Sequence, residues 1–204
     1  ALPIYLDQPC DIAAPCVSAN HKNVSASIMS ALEYELDHYG NKESILKTGL
    51  AYGIESGRFG SYKIACQQTE SCRQAVSGNY DTASAFSNLS NIRTYGELYG
   101  GLLSFVSGRM NDAVKQSMPY ARFMDVYEPV CRAFNDSKLS FAFSSYANSE
   151  IIKRLNDSSM KTRDGIGYLV RIYKLDPGNV TVKQNVTGVV KSLALEAASG
   201  GSSD

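Results

Sequence analysis

Residues 81–106 read DTASAFSNLSNIRTYGELYGGLLSFV, and their apolar side chains recur with the spacing of one helix face. Asp81 stands just before this pattern, at a position where a carboxylate typically accepts hydrogen bonds from free backbone N–H groups. The period of three to four residues predicts an amphipathic helix that begins near Asp81 and packs one face into a core. The apolar positions are Phe86, Leu89, Ile92, Tyr99, Leu102, Leu103 and Val106.

Similar stripes occur on both sides of this segment. An earlier stripe repeats every four residues from Val24 to Leu36, and Gly40 marks its end. Pro119 interrupts the pattern that follows residue 106, because proline cannot continue a helix interior. A further stripe runs from Tyr120 to Phe134, and helical patterns return over 146–155, 166–173 and 186–193. One short strand is predicted where apolar residues alternate, at Leu139, Phe141 and Phe143.

These patterns predict an all-α protein, a compact multi-helix bundle whose single helical domain covers residues 23–197. Residues 1–22 carry three prolines and two cysteines with little periodicity, which predicts an irregular, disulfide-bearing N-terminal arm. Residues 198–204 are mostly serine and glycine, which predicts a flexible, disordered tail.

Composition and charge narrow the class of protein. Lys+Arg and Asp+Glu are both 20, so the chain has no net positive charge to attract nucleic acid. No apolar run reaches the roughly 18 residues of a membrane-spanning helix. The chain starts at Ala1 rather than Met, which is typical of a mature chain whose signal peptide has been removed. We therefore predict a secreted, extracellular protein with no nucleic-acid partner and no membrane span.

The cysteines fit the same compartment, since disulfide bonds persist mainly in secreted proteins. The disulfide candidates form two pairs with equal spacing, and two local bonds or crossed bonds between the pairs are both compatible with it. A bond within the second pair requires a helix break near residues 68–69, because six residues do not return to the same helix face. The fifth cysteine, Cys131, is either an intermolecular or a free thiol. The four disulfide candidates are Cys10, Cys16, Cys66 and Cys72.

The acceptor pattern for N-linked glycans, Asn-X-Ser/Thr, is more frequent than composition explains. It occurs six times, where chance predicts roughly two. This excess indicates a secretory glycoprotein whose modified asparagines lie on the surface. The N-glycosylation candidates are Asn23, Asn88, Asn135, Asn156, Asn179 and Asn185.

The sequence shows no catalytic, cofactor-binding or metal-binding constellation. Its two histidines are His21, in the N-terminal arm, and His38, on the polar face of the first helix, and we expect both to face solvent. The carboxylates of Glu33 and Asp37 lie on the same polar face and are expected to be solvated. Gly100 and Gly101 lie inside a helical pattern, where they indicate close packing rather than a nucleotide loop. We therefore predict no catalytic residue, no cofactor and no metal.

Two segments of the chain resemble the silk fibroin light chain of moths. The first covers residues 26–31, and the second carries Arg122, Asp125, Phe141 and the run Ile151-Ile152-Lys153-Arg154-Leu155. The resemblance implies a secreted, all-helical, non-enzymatic partner of a large structural chain. That family has a cysteine just before the Lys-Arg-Leu run, which tethers it to the fibroin heavy chain. Here Glu150 takes that position, so only Cys131 is left for such a tether.

Three functional hypotheses follow. The first is a non-enzymatic structural or storage glycoprotein, a subunit of a silk-, egg- or matrix-like extracellular assembly, with other secreted chains as partners in a homo- or hetero-oligomer. The alternative is an extracellular carrier of a small apolar ligand such as a lipid or pigment, held between the stripes 86–106 and 120–134. The third is a receptor-binding module, or an enzyme whose site is assembled only in space.

Overall fold

The computed structural model describes the backbone of residues 21–78 and 81–200, and the side chains of 26–78 and 81–199. Every element in these ranges is a helix, so the predicted all-α class is confirmed for them. The helices are α1 (His21–His38), α2 (Lys42–Ala51), α3 (Gly57–Ser77), α4 (Thr82–Phe86), α5 (Leu89–Arg93), α6 (Gly96–Lys115), α7 (Tyr120–Phe134), α8 (Ser137–Asn156), α9 (Thr162–Leu175) and α10 (Val180–Gly200).

The described residues form two compact units, which are divided between Gln67 and Gln68, inside α3. The prediction of a single domain over 23–197 is not tested by this grouping and stays a prediction. In the first unit α1 packs against α2. A side chain on Gly49 would place its Cβ 2.2 Å from Cε1 of the buried Phe59 ring, so glycine alone fits at this position. Helices α2 and α3 therefore approach each other closely at Gly49.

The predicted long helix after Asp81 is instead divided into α4, α5 and α6. Asp81 does cap the first piece, since its carboxylate accepts a hydrogen bond from the Ser84 backbone N–H at 3.2 Å. Ser87 then donates its hydroxyl hydrogen to the Ser84 carbonyl, and Tyr95 adopts an extended backbone before α6. Serine and asparagine compete for backbone hydrogen bonds in this way, which explains breaks that apolar periodicity does not reveal.

Helix α7 is the centre of the second unit. Pro119 ends the preceding helical pattern, as predicted, and it occupies the N-cap of α7. Asn135 ends α7 in a left-handed conformation with φ of 50°. Pro129 lies inside the helix without dividing it. The side chains of Phe123, Tyr127 and Cys131 are all buried, and α7 packs against α4, α6 and α8.

The strand predicted at residues 139–143 is wrong, because these residues open helix α8. Asp136 is the reason, since its carboxylate accepts a hydrogen bond from the Leu139 backbone N–H at 2.9 Å and starts a helix. Leu139 and Phe143, four residues apart, are both buried, whereas Phe141 is 58% exposed. The apparent alternation therefore combined two core positions with one surface aromatic.

Helices α8, α9 and α10 pack on one another. Ser144 contacts Asn179 and Asn148 contacts Asn185, so positions along α8 and α10 ascend together and the two helices run parallel. Residues 198–200, predicted as tail, are helical, and 201–204 lie outside the described residues.

Candidate functional site

The aromatic side chains of the second unit pack against one another. Phe123 stacks on Phe143 with ring centroids 5.5 Å apart, and Phe134 contacts both Phe86 and Tyr99 at 5.7 Å and 5.4 Å. Such offset and tilted pairs are typical of a filled core. The stripes 86–106 and 120–134, which were considered as the lining of a ligand cavity, therefore supply packing in this structure.

Three cysteines fall within the described residues, and none of them is bonded there. Cys66 and Cys72 lie on α3, which continues without a break through residues 68–69, so a bond between these two cysteines is not formed. Cys72 is buried and points its sulfur at the Ala85 carbonyl oxygen, 3.2 Å away. Cys10 and Cys16, in the predicted arm, lie outside the described residues.

Cys131 lies in the interior of the second unit. Its side chain is 1% exposed, and its sulfur faces the Leu139 carbonyl oxygen at 3.9 Å. Burial raises the pKa of its thiol to about 12, with the neighbouring Glu128 and Asp136 charges adding to the effect. A partner chain cannot reach this sulfur in the folded protein, so of the two predicted roles the structure favours the free thiol.

Five of the six sequon asparagines have described side chains, and these five divide into two groups. Asn88, Asn135 and Asn156 are exposed at helix ends, where a glycan can extend into solvent. Asn179 is buried, because its amide nitrogen donates to the Ser144 hydroxyl at 2.9 Å and its oxygen accepts from the Val182 backbone N–H.

Asn185 is half-buried, and its amide nitrogen donates to the Asn148 side-chain oxygen at 3.1 Å. An N-glycan is attached through this same amide nitrogen, so the folded bundle has no room for one on Asn179 and strains one on Asn185. Asn179 is therefore not a surface site in the folded protein. The side chain of Asn23 lies outside the described residues.

The polar face of α1 is more structured than the sequence indicates. Arg58, at the start of α3, binds the carboxylates of Glu33 and Asp37, the latter at 2.7 Å. These hydrogen bonds hold the pKa of the Asp37 carboxyl below its usual range. The pairs lie at least 21 residues apart in sequence, so no local pattern reveals them. His38 is exposed, as predicted, and its ring stacks on Tyr34.

A buried carboxylate, Glu128, was not singled out from the sequence. It binds Arg132, one turn later in α7, at 2.7 Å, and it also binds Arg171 of α9. Both arginines are about half exposed while Glu128 is buried. The buried carboxylate is therefore paired with two guanidinium groups that reach the surface. The spacing of four residues between Glu128 and Arg132 is enough to predict an ion pair on one helix from the sequence. The second partner, Arg171 on α9, could not be predicted in this way.

The same face carries a row of two arginine and two tyrosine side chains in the order Arg–Tyr–Tyr–Arg. Arg171 lies 5.5 Å from the ring centroid of Tyr168, and Tyr168 meets Tyr120 edge to face at 5.4 Å. Arg154 in turn lies 5.5 Å from the ring of Tyr120. We call Arg154, Tyr120, Tyr168 and Arg171 the Arg–Tyr ladder. Glu150 lies 3.9 Å from Arg154.

The described part of the chain brings no three His, Cys, Asp or Glu residues into a group that could hold a metal ion. Within the same ranges, no helix is both long and apolar enough to cross a membrane. Comparison of the chain with protein-family models, curated proteins and solved structures finds no match. The molecule is therefore defined by its all-α fold and by the surface features described above.

Proposed function

We propose that this protein is a secreted, non-enzymatic glycoprotein, a structural or storage subunit of an extracellular assembly. The observation that carries the proposal is the position of three sequons. Asn88, Asn135 and Asn156 all lie exposed at the ends of helices, where glycans do not disturb packing. These exposed positions, together with the presence of six sequons in the chain, support passage through the secretory pathway.

Charge supports the assembly part of the proposal. The chain carries equal numbers of acidic and basic residues, so copies of it do not repel one another by net charge near neutral pH. We propose that its partners are further copies or other secreted chains. The resemblance to fibroin light chains supports the same kind of partner.

Because Cys131 is buried, we do not propose it as the link to that partner. We therefore propose a non-covalent association or a bond through a cysteine outside the core. Cys66 is half-buried on α3, and it remains a disulfide candidate together with Cys10 and Cys16.

The test uses protein purified from its natural source. Intact mass is measured before and after enzymatic removal of N-glycans, with and without reduction, and light scattering gives the mass of the native particle. We expect a loss of glycan mass, glycopeptides that contain Asn88, Asn135 or Asn156, and a native particle heavier than one chain. An unglycosylated monomer of a single chain would overturn the proposal.

A further inference from the structure

Two buried donors at one end of the Arg–Tyr ladder have no acceptor within the described part of the protein. They are the hydroxyl of Tyr120 and the Nε–H of Arg154. The Tyr120 side chain is 4% exposed, and the nearest acidic oxygen to Arg154 Nε, on Glu150, is 3.9 Å away. That distance is beyond a hydrogen bond. Unpaired buried donors are costly and rare, so this pair requires an explanation.

Charged side chains of both signs surround the two donors. The Tyr120 hydroxyl lies within electrostatic range of Arg154, Arg171, Glu128 and Tyr168. Glu128 is already bound by Arg171 and by Arg132. Glu128 is therefore engaged elsewhere, and neither it nor Glu150 accepts a hydrogen bond from the two donors.

We propose that Tyr120 and Arg154 bind one oxyanion, the carboxylate, sulfate or phosphate group of a ligand. An arginine Nε–H only donates, and the Tyr120 hydroxyl has its hydrogen free, so both groups need an oxygen acceptor. An oxyanion accepts both hydrogen bonds and is attracted by the charge of the Arg154 guanidinium. A water molecule also accepts both, but it adds two hydrogens that need acceptors of their own.

Arg154 provides the route into the site. Its side chain is 37% exposed, and it rests on the Tyr120 ring near the end of α8. The contact with the Tyr120 ring and the long contact with Glu150 hold it there, and Asp157 lies within electrostatic range. A change of rotamer, which is fast for exposed side chains, uncovers the Tyr120 hydroxyl and lets the guanidinium close over the incoming anion.

The test follows the Arg154 Nε–H resonance by NMR on the full chain, assigned with the variant Arg154→Lys. Sulfate, phosphate and acetate are added separately at constant ionic strength, so that tetrahedral anions are distinguished from a carboxylate. We expect a saturable shift with at least one of them. Tyr120→Phe should weaken that anion about tenfold or more, since it removes one charge-assisted hydrogen bond. Tyr39→Phe, an exposed tyrosine on the first unit, is the matched control and should bind as the wild type does.

Thermal unfolding without added anion gives a second readout. An unpaired hydroxyl destabilises the free protein, so Tyr120→Phe should unfold at a higher temperature than the wild type and should lose the stabilisation by anion. Two results would overturn the proposal. One is an Arg154 resonance that no anion moves, and the other is equal anion affinity in Tyr120→Phe and the wild type. If, in addition, Tyr120→Phe unfolds at a lower temperature, a bound water occupies the site instead.

Discussion

At the scale of single residues, burial sets the reactivity of each thiol. Cys72 and Cys131 are buried, and burial raises their pKa to about 11 and about 12, so almost no thiolate exists near neutral pH. We expect both to resist an alkylating reagent in the folded protein. Cys66 is half-buried and should react faster. Labelling followed by peptide mass spectrometry measures each rate.

Unfolding in guanidinium chloride is the control for this experiment, and it should make all three thiols equally reactive. One sample is reduced before labelling and a parallel sample is not. If Cys66 reacts only in the reduced sample, a disulfide bond rather than burial protects it. Labelling of Cys131 at the rate of Cys66 in the folded protein would show that its surroundings open readily, and it would restore Cys131 as a tether.

Two helix-interior glycines test close packing at the same scale. Gly49→Ala would place a methyl group against the Phe59 ring, which is fully buried and cannot move aside. We expect a loss of about 1–3 kcal/mol, as for other overpacked cores. Gly100→Ala meets no atom within 4 Å, so it should gain up to ~1 kcal/mol from helix propensity. Thermal unfolding followed by circular dichroism compares the two, and a stabilising Gly49→Ala would contradict the structure.

The sequence predicts which side of a helix a residue occupies, but not its hydrogen bonds. The apolar stripe of α7 placed Cys131 on the inner side, and the structure agrees. For Gly100 the interpretation as close packing was wrong, since the position is open. Asn179 matched a sequon perfectly, yet it caps α10 and binds Ser144, 35 residues earlier. No local pattern carries that information.

At the scale of one element, mutations in α8 can distinguish the observed helix from the strand predicted at residues 139–143. In a strand, Leu139, Phe141 and Phe143 would share a face, and truncating either phenylalanine would cost about the same. In the helix, Phe143→Ala should cost about 3–5 kcal/mol, because the ring is fully buried. Phe141→Ala should change the stability by about 0.5 kcal/mol or less, because the ring is mostly exposed. Urea unfolding of both variants measures the difference, and equal losses would favour the strand.

The presence of the helices was largely predictable, because the spacing of apolar residues indicates a helix directly. The residues at which the helices begin and end were harder to predict. The pattern after Asp81 looks continuous because Phe86, Leu89 and Ile92 are all buried in the same core even though the helix is broken between them. Asp136 was the one residue that could have corrected the strand, since a helix N-cap and a strand start are incompatible.

At the scale of the whole molecule, long-range ion pairs are the part that the sequence cannot supply. Arg58 binds Glu33 and Asp37, and Arg171 binds Glu128 across 43 residues. Each pair forms only when the helices pack together. About one residue in ten is acidic, so every arginine has many alternative partners in the sequence. The Arg–Tyr ladder is assembled in the same way, which is why the proposed oxyanion site was invisible before the fold.

These pairs and caps also determine how the whole protein responds to acid. Hydrogen bonds lower the pKa of three carboxyls, Asp37 through Arg58, Asp81 through Ser84 and Asp157 through Ser159. Because each folded pKa lies below the unfolded value of about 3.9, the stabilisation is complete above that pH and disappears as the pH falls through the folded pKa. We therefore expect urea unfolding midpoints that are constant from about pH 7 to 5 and decline below about pH 4.

Asp81→Ser separates this effect from the general increase in positive charge at low pH. Serine keeps an oxygen that caps α4 but does not titrate, so the variant should lose less stability than the wild type between about pH 5 and pH 2. Net charge rises almost equally in both proteins, so repulsion alone predicts the same decline for each. Identical declines would mean that the Asp81 cap does not contribute to the acid response, whereas a shallower decline in Asp81→Ser assigns part of the acid sensitivity of the whole molecule to one helix start.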